Sequence, residues 1–380
     1  MYTITEQHEL VRNSVRDFAE TVIKPVAREL DKQEKFSLEI TRQMGDMGLC
    51  GMTISQEFGG QGMDYLSYII AVEELARIDG SQAATIASHN SLGTGPLYNF
   101  GTQQQKEKYL PDLCSGKSLW AFGLTEPEAG SDSRGSKTSA NLQDGKWAIN
   151  GSKIFITNGA TDITAGATVQ VVSDKKGDKK EFSTIIVESG TPGFEASEMH
   201  GKLCWRASNT SQLFFDNCVV PEENLLGKRG EGSKIMLKTL DSGRLSIAAM
   251  GLGLAQGAYE MALAYAKERK QFGQPISKFQ AIAFKLADMA TKIELARNLL
   301  YKACWLKDND KPFGKEAAMA KLYCSEIAKE VSDEAVQIHG GYGLMDEYDI
   351  ERFYRDQRIL QIGEGTSEIQ RMVISRHIGC

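Results

Sequence analysis

The hydrophobic period of this 380-residue chain changes twice, and the two changes restrict what it can fold into. Up to about residue 118 the period is helical. Between Glu6 and Leu30, apolar residues recur at Leu10, Val11, Val15, Phe18, Val22 and Ile23, one face of a helix that Pro25 breaks or kinks. Thr41 to Gly48 reads as a short helix ended by glycine, Glu57 to Gly62 as a turn, and Tyr65 to Ile78 as a further helix. Near Leu119 the pattern turns to short runs rich in β-branched and aromatic residues. These are Trp120 to Leu124, Lys146 to Ile149, Lys153 to Thr157, Thr168 to Val172, Thr184 to Val187 and Leu213 to Val220. Asn150-Gly151, between two of them, is a hairpin signal. The stretch ends near Pro221 and predicts a small antiparallel β-barrel or sandwich. From about Gly230 the helical period returns. Ile282, Leu286, Met289, Ile293, Ala296 and Leu300 step by four and three, as in a bundle seam. Lys315 to His339 and Thr366 to Ile378 complete a four-helix bundle. The expected plan is an α+β multidomain chain: an N-terminal α-helical domain (1–118), a middle antiparallel β-barrel domain (119–229) and a C-terminal four-helix-bundle domain (230–380).

Bulk properties exclude some functions. A net charge of −6 leaves no excess of Lys and Arg to neutralise phosphates, so no nucleic acid is expected as a partner. Seven scattered cysteines with no Cys-x-x-Cys read as free thiols in a reducing compartment, and no metal site is expected. The N-terminus passes straight into a helical pattern without a signal or transit segment, and no apolar run has the length of a membrane span. A cytoplasmic protein is the expectation. Gly80 to Gln105 contains no Lys, Arg, Asp or Glu, which predicts either buried core or the lining of an apolar pocket.

The run Gln361 to Arg371 places one carboxylate, Glu364, between Gly363 and Gly365. Glycine on both sides lets backbone approach a flat ligand closely. A carboxylate held there against an apolar group loses water, its pKa rises toward neutrality, and it becomes a good general base. Thr366 and Ser367 can cap the helix that follows. Taken alone, the run is also readable as a plain helix start with an incidental acid. Neither Gly-rich fingerprint of nucleotide binding is present, which argues against a Rossmann or P-loop enzyme. Phe122 to Asp132, with hydroxyls at Thr125 and Ser131 around Pro127 and Gly130, is either a ligand loop or an ordinary turn.

Together these segments closely resemble the acyl-CoA dehydrogenase family of flavoenzymes over essentially the whole chain. The most specific pieces are Leu124-Thr125-Glu126-Pro127 to Gly130-Ser131-Asp132, Lys153 to Gly159, and Glu268 to Gly273 followed by Phe279-Gln280-Ala281. Gln337 to Gly343, Tyr354-Arg355-Asp356 and Glu364 to Gln370 complete the series in the family's order. The resemblance implies FAD bound between the β domain and the bundle. Phe122, Leu124, Thr125, Gly130 and Ser131 would wrap the flavin's pyrimidine end, and Phe155, Ile156 and Thr157 would cover its other side. Thr366 and Glu368 belong to the same implied cofactor set. Arg269, Phe272, Gln280, Gln337, Gly340 and Gly341 resemble residues that hold the pyrophosphate and adenosine of FAD on a neighbouring subunit, within a homotetramer arranged as a dimer of dimers. Glu364 would abstract the α-proton of an acyl-CoA thioester while the β-hydrogen leaves as hydride to flavin N5. Electrons would then pass to an electron-transferring flavoprotein. Ser131, Asp241, Arg244, Gly363 and Gly365 match substrate-contacting positions.

Three features bear on base and substrate. One branch of the family carries its glutamate on the bundle helix at the position of Gly243, which cannot serve, so the base is assigned to Glu364. The residue before the base is commonly Tyr in straight-chain enzymes; here it is Gly363, which predicts a wider pocket that admits short branched or cyclic acyl groups as well as butyryl. The charge-free Gly80–Gln105 segment, with His89 as its one weakly basic side chain, disfavours a dicarboxylic substrate. An acyl-CoA oxidase, an enoyl-CoA reductase and a non-catalytic helical assembly protein are the competing readings.

Overall fold

The computed structural model describes residues 2–177 and 179–380. Helices α1 (Glu6–Phe18), α2 (Lys24–Gln33), α3 (Leu38–Asp46), α4 (Tyr65–Ala76), α5 (Gly80–Ser88), α6 (Gly95–Phe100) and α7 (Gln103–Cys114) form the N-terminal part. Pro25 lies in the first turn of α2, and the path from α1 is carried across by a π-helical turn over Ala19–Ile23. α4 is buried along its whole length. An apolar helix of that kind belongs in an interior, and its Ile69, Ile70 and Val72 share one core cluster with Leu245, Ala248 and Leu252 of the long helix α8 (Gly232–Glu268).

Strands β1 (Leu119–Gly123), β2 (Ser139–Gln143), β3 (Lys146–Thr157), β4 (Thr164–Lys176), β5 (Lys179–Glu188), β6 (Phe194–Glu198), β7 (Thr210–Pro221) and β8 (Leu225–Leu226) form one sheet. Its order is β6-β7-β3-β2-β4-β5-β8, with β1 beside β4. Most neighbours are antiparallel, but β1 and β2 each run parallel to β4. The Asn150-Gly151 expectation is corrected. The two runs flanking it are one strand, β3, and Gly151 (φ 140°) sits at a bulge where the register with β7 shifts. A Cβ at Gly151 would come within 2.6 Å of Thr138 Oγ1, so the bulge needs glycine there. The hairpin turn is Asp144-Gly145, both at positive φ (52° and 71°), joining β2 to β3.

After α8 come a two-residue-strand hairpin, β9 (Lys270–Gln271) and β10 (Gln274–Pro275), and then α9 (Gln280–Asp308), α10 (Gly314–His339), α11 (Ile350–Asp356) and α12 (Ser367–His377). Of the predicted seam residues, Leu286, Met289, Ile293, Ala296 and Leu300 are buried in α9, and Ile282 is half-buried against the same core. Among the described residues no helix is long and apolar enough to cross a membrane.

Candidate active site

Glu364 and Gly365 both adopt positive φ, 52° and 93°. Glycine tolerates this conformation, whereas glutamate is strained in it. Immediately afterwards Thr366 accepts a hydrogen bond from the Ile369 N–H and starts α12. The turn projects the Glu364 side chain away from its own helix and onto α8. There the packing is tight: a Cβ at Gly243 would lie 2.0 Å from Glu364 Oε2 and 3.1 Å from Leu92 Cδ2. Gly243 is thus the floor on which the carboxylate rests.

Glu364 Oε2 is buried and has no hydrogen-bond partner among the described residues. Burial pushes this carboxyl up to about 7, and Lys321 and Arg244 pull it in the opposite direction. Arg244, itself largely buried, is bonded to Asp241 at 2.5 Å, while its Nε has no partner among the described residues. Tyr65 donates to the Ser242 carbonyl at 2.9 Å, and the Tyr68 hydroxyl lies 3.0 Å from Ser246 Oγ. The Asp241–Arg244 turn is therefore fixed from the α4 side. Gly363, by contrast, is open: a Cβ there would meet only Ile359, at 3.5 Å or more.

The β part reaches the same region. Phe122 and Leu124 cluster with Met236 and Leu240 of α8 and with Leu92, which lies in a π-helical turn over His89–Thr94. The loop after β1 is tied to β3: Ile154 N–H donates to the Thr125 carbonyl at 3.0 Å, and Lys153 Nζ donates to the Leu124 carbonyl and to Glu126 Oε1. The two predicted cofactor segments, Phe122–Ser131 and Phe155–Thr157, are thus one joined surface. Ile156 faces the sheet core, whereas Phe155 stands 64 % exposed at φ 61°. Gly130 has open space above it, and Ser131 is exposed.

The remaining predicted residues lie elsewhere. Arg269 caps the far end of α8 and stacks over the Tyr342 ring at 5.4 Å. Phe272, 94 % exposed, tips the β9–β10 hairpin. Gln280, Gln337, Gly340 and Gly341 are exposed near helix ends, with open space above both glycines. From Gly243 to Arg269 the helix rises roughly 39 Å at 1.5 Å per residue, so Arg269 and the hairpin tipped by Phe272 do not meet the Glu364 site of their own chain. Glu368 is exposed in the first turn of α12. His89 uses both ring nitrogens inside the protein, on the Leu113 carbonyl and the Trp120 N–H, and burial holds it neutral by lowering its pKa to about 4.

Sequence reasoning missed Lys321 and Gln370. Lys321 Nζ donates to the Gly365 carbonyl at 2.7 Å, and Gln370 Nε2 donates to the same carbonyl at 2.9 Å. The available signal was phase: Lys321 falls on the same stripe of α10 as Ala317, Cys324 and Ala328, all buried.

Three family models cover nearly the whole chain: the acyl-CoA dehydrogenase N-terminal domain over residues 5–117, the middle domain over 121–218 and the C-terminal domain over 230–379. This chain belongs to the acyl-CoA dehydrogenase family. The short-chain specific acyl-CoA dehydrogenase of Clostridium acetobutylicum is 46% identical over 99% of both chains. The acryloyl-CoA reductase (NADH) of Anaerotignum propionicum is 44% identical over 99% of this chain and 95% of its own. The structure of butyryl-CoA dehydrogenase from Megasphaera elsdenii superposes with a TM-score of 0.96 at 43% identity, covering 100% of this chain and 99% of that one. The three-part plan of helices, sheet and helices is the family fold, and the chain is an acyl-CoA dehydrogenase-type oxidoreductase.

Proposed function

We propose that this enzyme removes hydrogen from Cα and Cβ of a short acyl-CoA thioester, with Glu364 as the base. The observation that carries the reading is the Glu364 carboxylate itself, with a buried and unpartnered Oε2 on the Gly243 floor. A group with a pKa near 7 is divided between its two forms at neutral pH, so it can accept a proton and later release it. The α-hydrogen is weakly acidic beside the thioester carbonyl. As Glu364 takes it, charge develops on the carbonyl oxygen, where a backbone N–H such as that of Glu364 is a suitable preorganised donor. Arg244, with its free Nε, and Asp241 and Ser131 are assigned to the CoA part of the substrate. Such remote contacts hold the reacting carbons in geometry.

The residues fit FAD as the cofactor. Phe155 presents an exposed aromatic face beside Thr157, the Phe122–Ser131 loop is braced against β3, and Gly130, Gly340 and Gly341 leave room for close approach. Bound there, FAD supplies the acceptor for the hydride that leaves Cβ. Phe122, Leu124, Thr125, Gly130, Ser131, Phe155, Ile156, Thr157, Thr366 and Glu368 would hold it from one subunit. Arg269, Phe272, Gln280, Gln337, Gly340 and Gly341 would do so from another, since roughly 39 Å of α8 lies between Gly243 and Arg269. A homotetramer and an electron-transferring flavoprotein as acceptor complete the proposal.

The open face of Gly363 supports a pocket wide enough for branched or cyclic acyl groups. His89, neutral and fully bonded, offers no cation to a dicarboxylic substrate. A second reading is reduction of an enoyl-CoA, favoured by the likeness to the acryloyl-CoA reductase; the same carboxylate would then deliver the proton. Turnover of butyryl-CoA with an artificial electron acceptor, compared with turnover of the enoyl ester under reducing conditions, separates the two. The decisive variant is Glu364→Gln. It should keep its yellow colour and CoA-ester binding and lose at least about 10²–10⁴ in turnover; near-normal turnover would overturn the assignment.

A further inference from the structure

Lys321 is fully enclosed, with 0 % of its side chain exposed. An ammonium in such a place needs a strong partner. Among the described residues no carboxylate forms an ion pair with it; its bond is to the Gly365 carbonyl, at 2.7 Å. Gln370, also buried, grips the same carbonyl and reaches the Glu364 carbonyl at 3.3 Å. Donors from two helices, α10 and α12, thus converge on the residue that follows the base. The turn they grip is the one that needs support: Glu364 at φ 52° is a non-glycine residue in the strained left-handed region.

We infer that Lys321 is a positioning residue for the base: its grip on the Gly365 carbonyl holds the left-handed turn that lays Glu364 against Gly243, with its ammonium facing that carboxylate. The inference rests on the reading of Glu364 as the base. The groups that face Glu364 are Lys321 from α10, Arg244 from α8, and the Tyr65 and Tyr68 hydroxyls from α4. Arg244 is already committed to Asp241, and the two phenols stay neutral, so Lys321 is the cation whose removal the carboxylate would feel most. Lys321 in turn faces Glu364, Glu326 and Glu368, with Arg244 opposing them. Burial lowers its own pKa to about 8, so it is still largely charged at neutral pH.

The sign follows directly. A neighbouring ammonium favours the ionised carboxylate, so deleting it raises the pKa of Glu364. Lys321→Met removes donor and charge; Lys321→Gln keeps a donor and removes only charge. Both are compared with wild type as flavin-loaded holoenzymes, by the pH dependence of kcat and KM for butyryl-CoA. The Glu364 carboxylate is also titrated by infrared difference against Glu364→Gln. In both variants the acid limb and the infrared titration should move up by about one pH unit or more. Lys321→Met should also lose about tenfold or more in plateau kcat with little change in KM, and Lys321→Gln should recover most of that plateau. An unmoved infrared titration in folded Lys321→Gln overturns the inference, and that variant decides alone if Lys321→Met does not fold. Wild-type protein inactive in both directions overturns the proposed function instead, while the infrared titration still tests the link between Lys321 and Glu364.

Discussion

At the scale of single residues, the site consists of an acid and the space made for it. Gly243→Ala places a methyl carbon where Glu364 Oε2 now lies, 2.0 Å from an ideal Cβ. The carboxylate must swing off its floor, so a fall in kcat of about 10²-fold is expected, with flavin content unchanged. The same acid should leave a mark on stability. Its pKa is raised from the ordinary 4.5 to about 7 in the folded protein, so the native state binds the extra proton. Stability from this group is therefore full below about pH 4.5 and declines as pH rises to 7. Glu364→Gln should be the more stable protein at pH 8, by on the order of 2 kcal/mol, and should match wild type near pH 4. Urea unfolding at the two pH values measures this, and an equal difference at both would contradict it. Glu364 and its flanking glycines stand out locally in the sequence, but that run alone also fits a plain helix start; the family resemblance is what marks Glu364 as the proposed base. Lys321 was not legible, because a lysine in a helix is ordinarily a solvated residue and only its phase on α10 marks it as interior.

At the scale of elements, α4 carries the main electrostatic demand. Its Glu73 and Glu74 are both buried. Glu74 bonds Arg12 and Arg16 at 2.9 Å and Arg77 at 3.1 Å; Glu73 bonds Arg297 at 3.1 Å and Tyr301 at 2.5 Å. These pairs tie α1 and α4 to α9, and α4 in turn fixes the Asp241–Arg244 turn through Tyr65 and Tyr68. Glu74→Ala leaves Arg16 without its acid, whereas Arg12 keeps Glu73 and Arg77 keeps Glu20 and Glu260. The expected loss is about 1–3 kcal/mol, read as a lower unfolding midpoint, with a smaller fall in kcat. Most elements could be located from period alone. The Asn150-Gly151 error has a plain cause: Asn-Gly and Asp-Gly carry the same local preference for positive φ. Only the pairing of β3 with β7, distant in sequence, decides which pair turns the chain and which makes a bulge. The π-helical turns at Ala19–Ile23 and His89–Thr94 have no periodic signature, and the second of them sets Leu92 beside the base.

At the scale of the whole molecule, the succession of helices, sheet and helices was legible because each part keeps one period over many residues. The parallel pairing of β1 and β2 with β4 was not, since it depends on contacts that no local pattern encodes. Only the family resemblance separates Arg269 and Phe272 from the Glu364 of their own chain; no local pattern shows how far the rod of α8 carries them. Arg269→Ala should weaken FAD retention on dialysis without moving the acid limb of the pH profile, and full retention would remove the pyrophosphate role assigned to that guanidinium. The length of α8 has one more effect. Because a rigid rod holds its two ends apart, the proposed cofactor site implies that each protomer borrows a wall of its reaction chamber from a sister. Co-refolded mixtures of Glu364→Gln and Arg269→Ala chains, each crippled alone, would then rebuild a fraction of whole chambers in which the intact acid of one parent meets the intact arginine of the other.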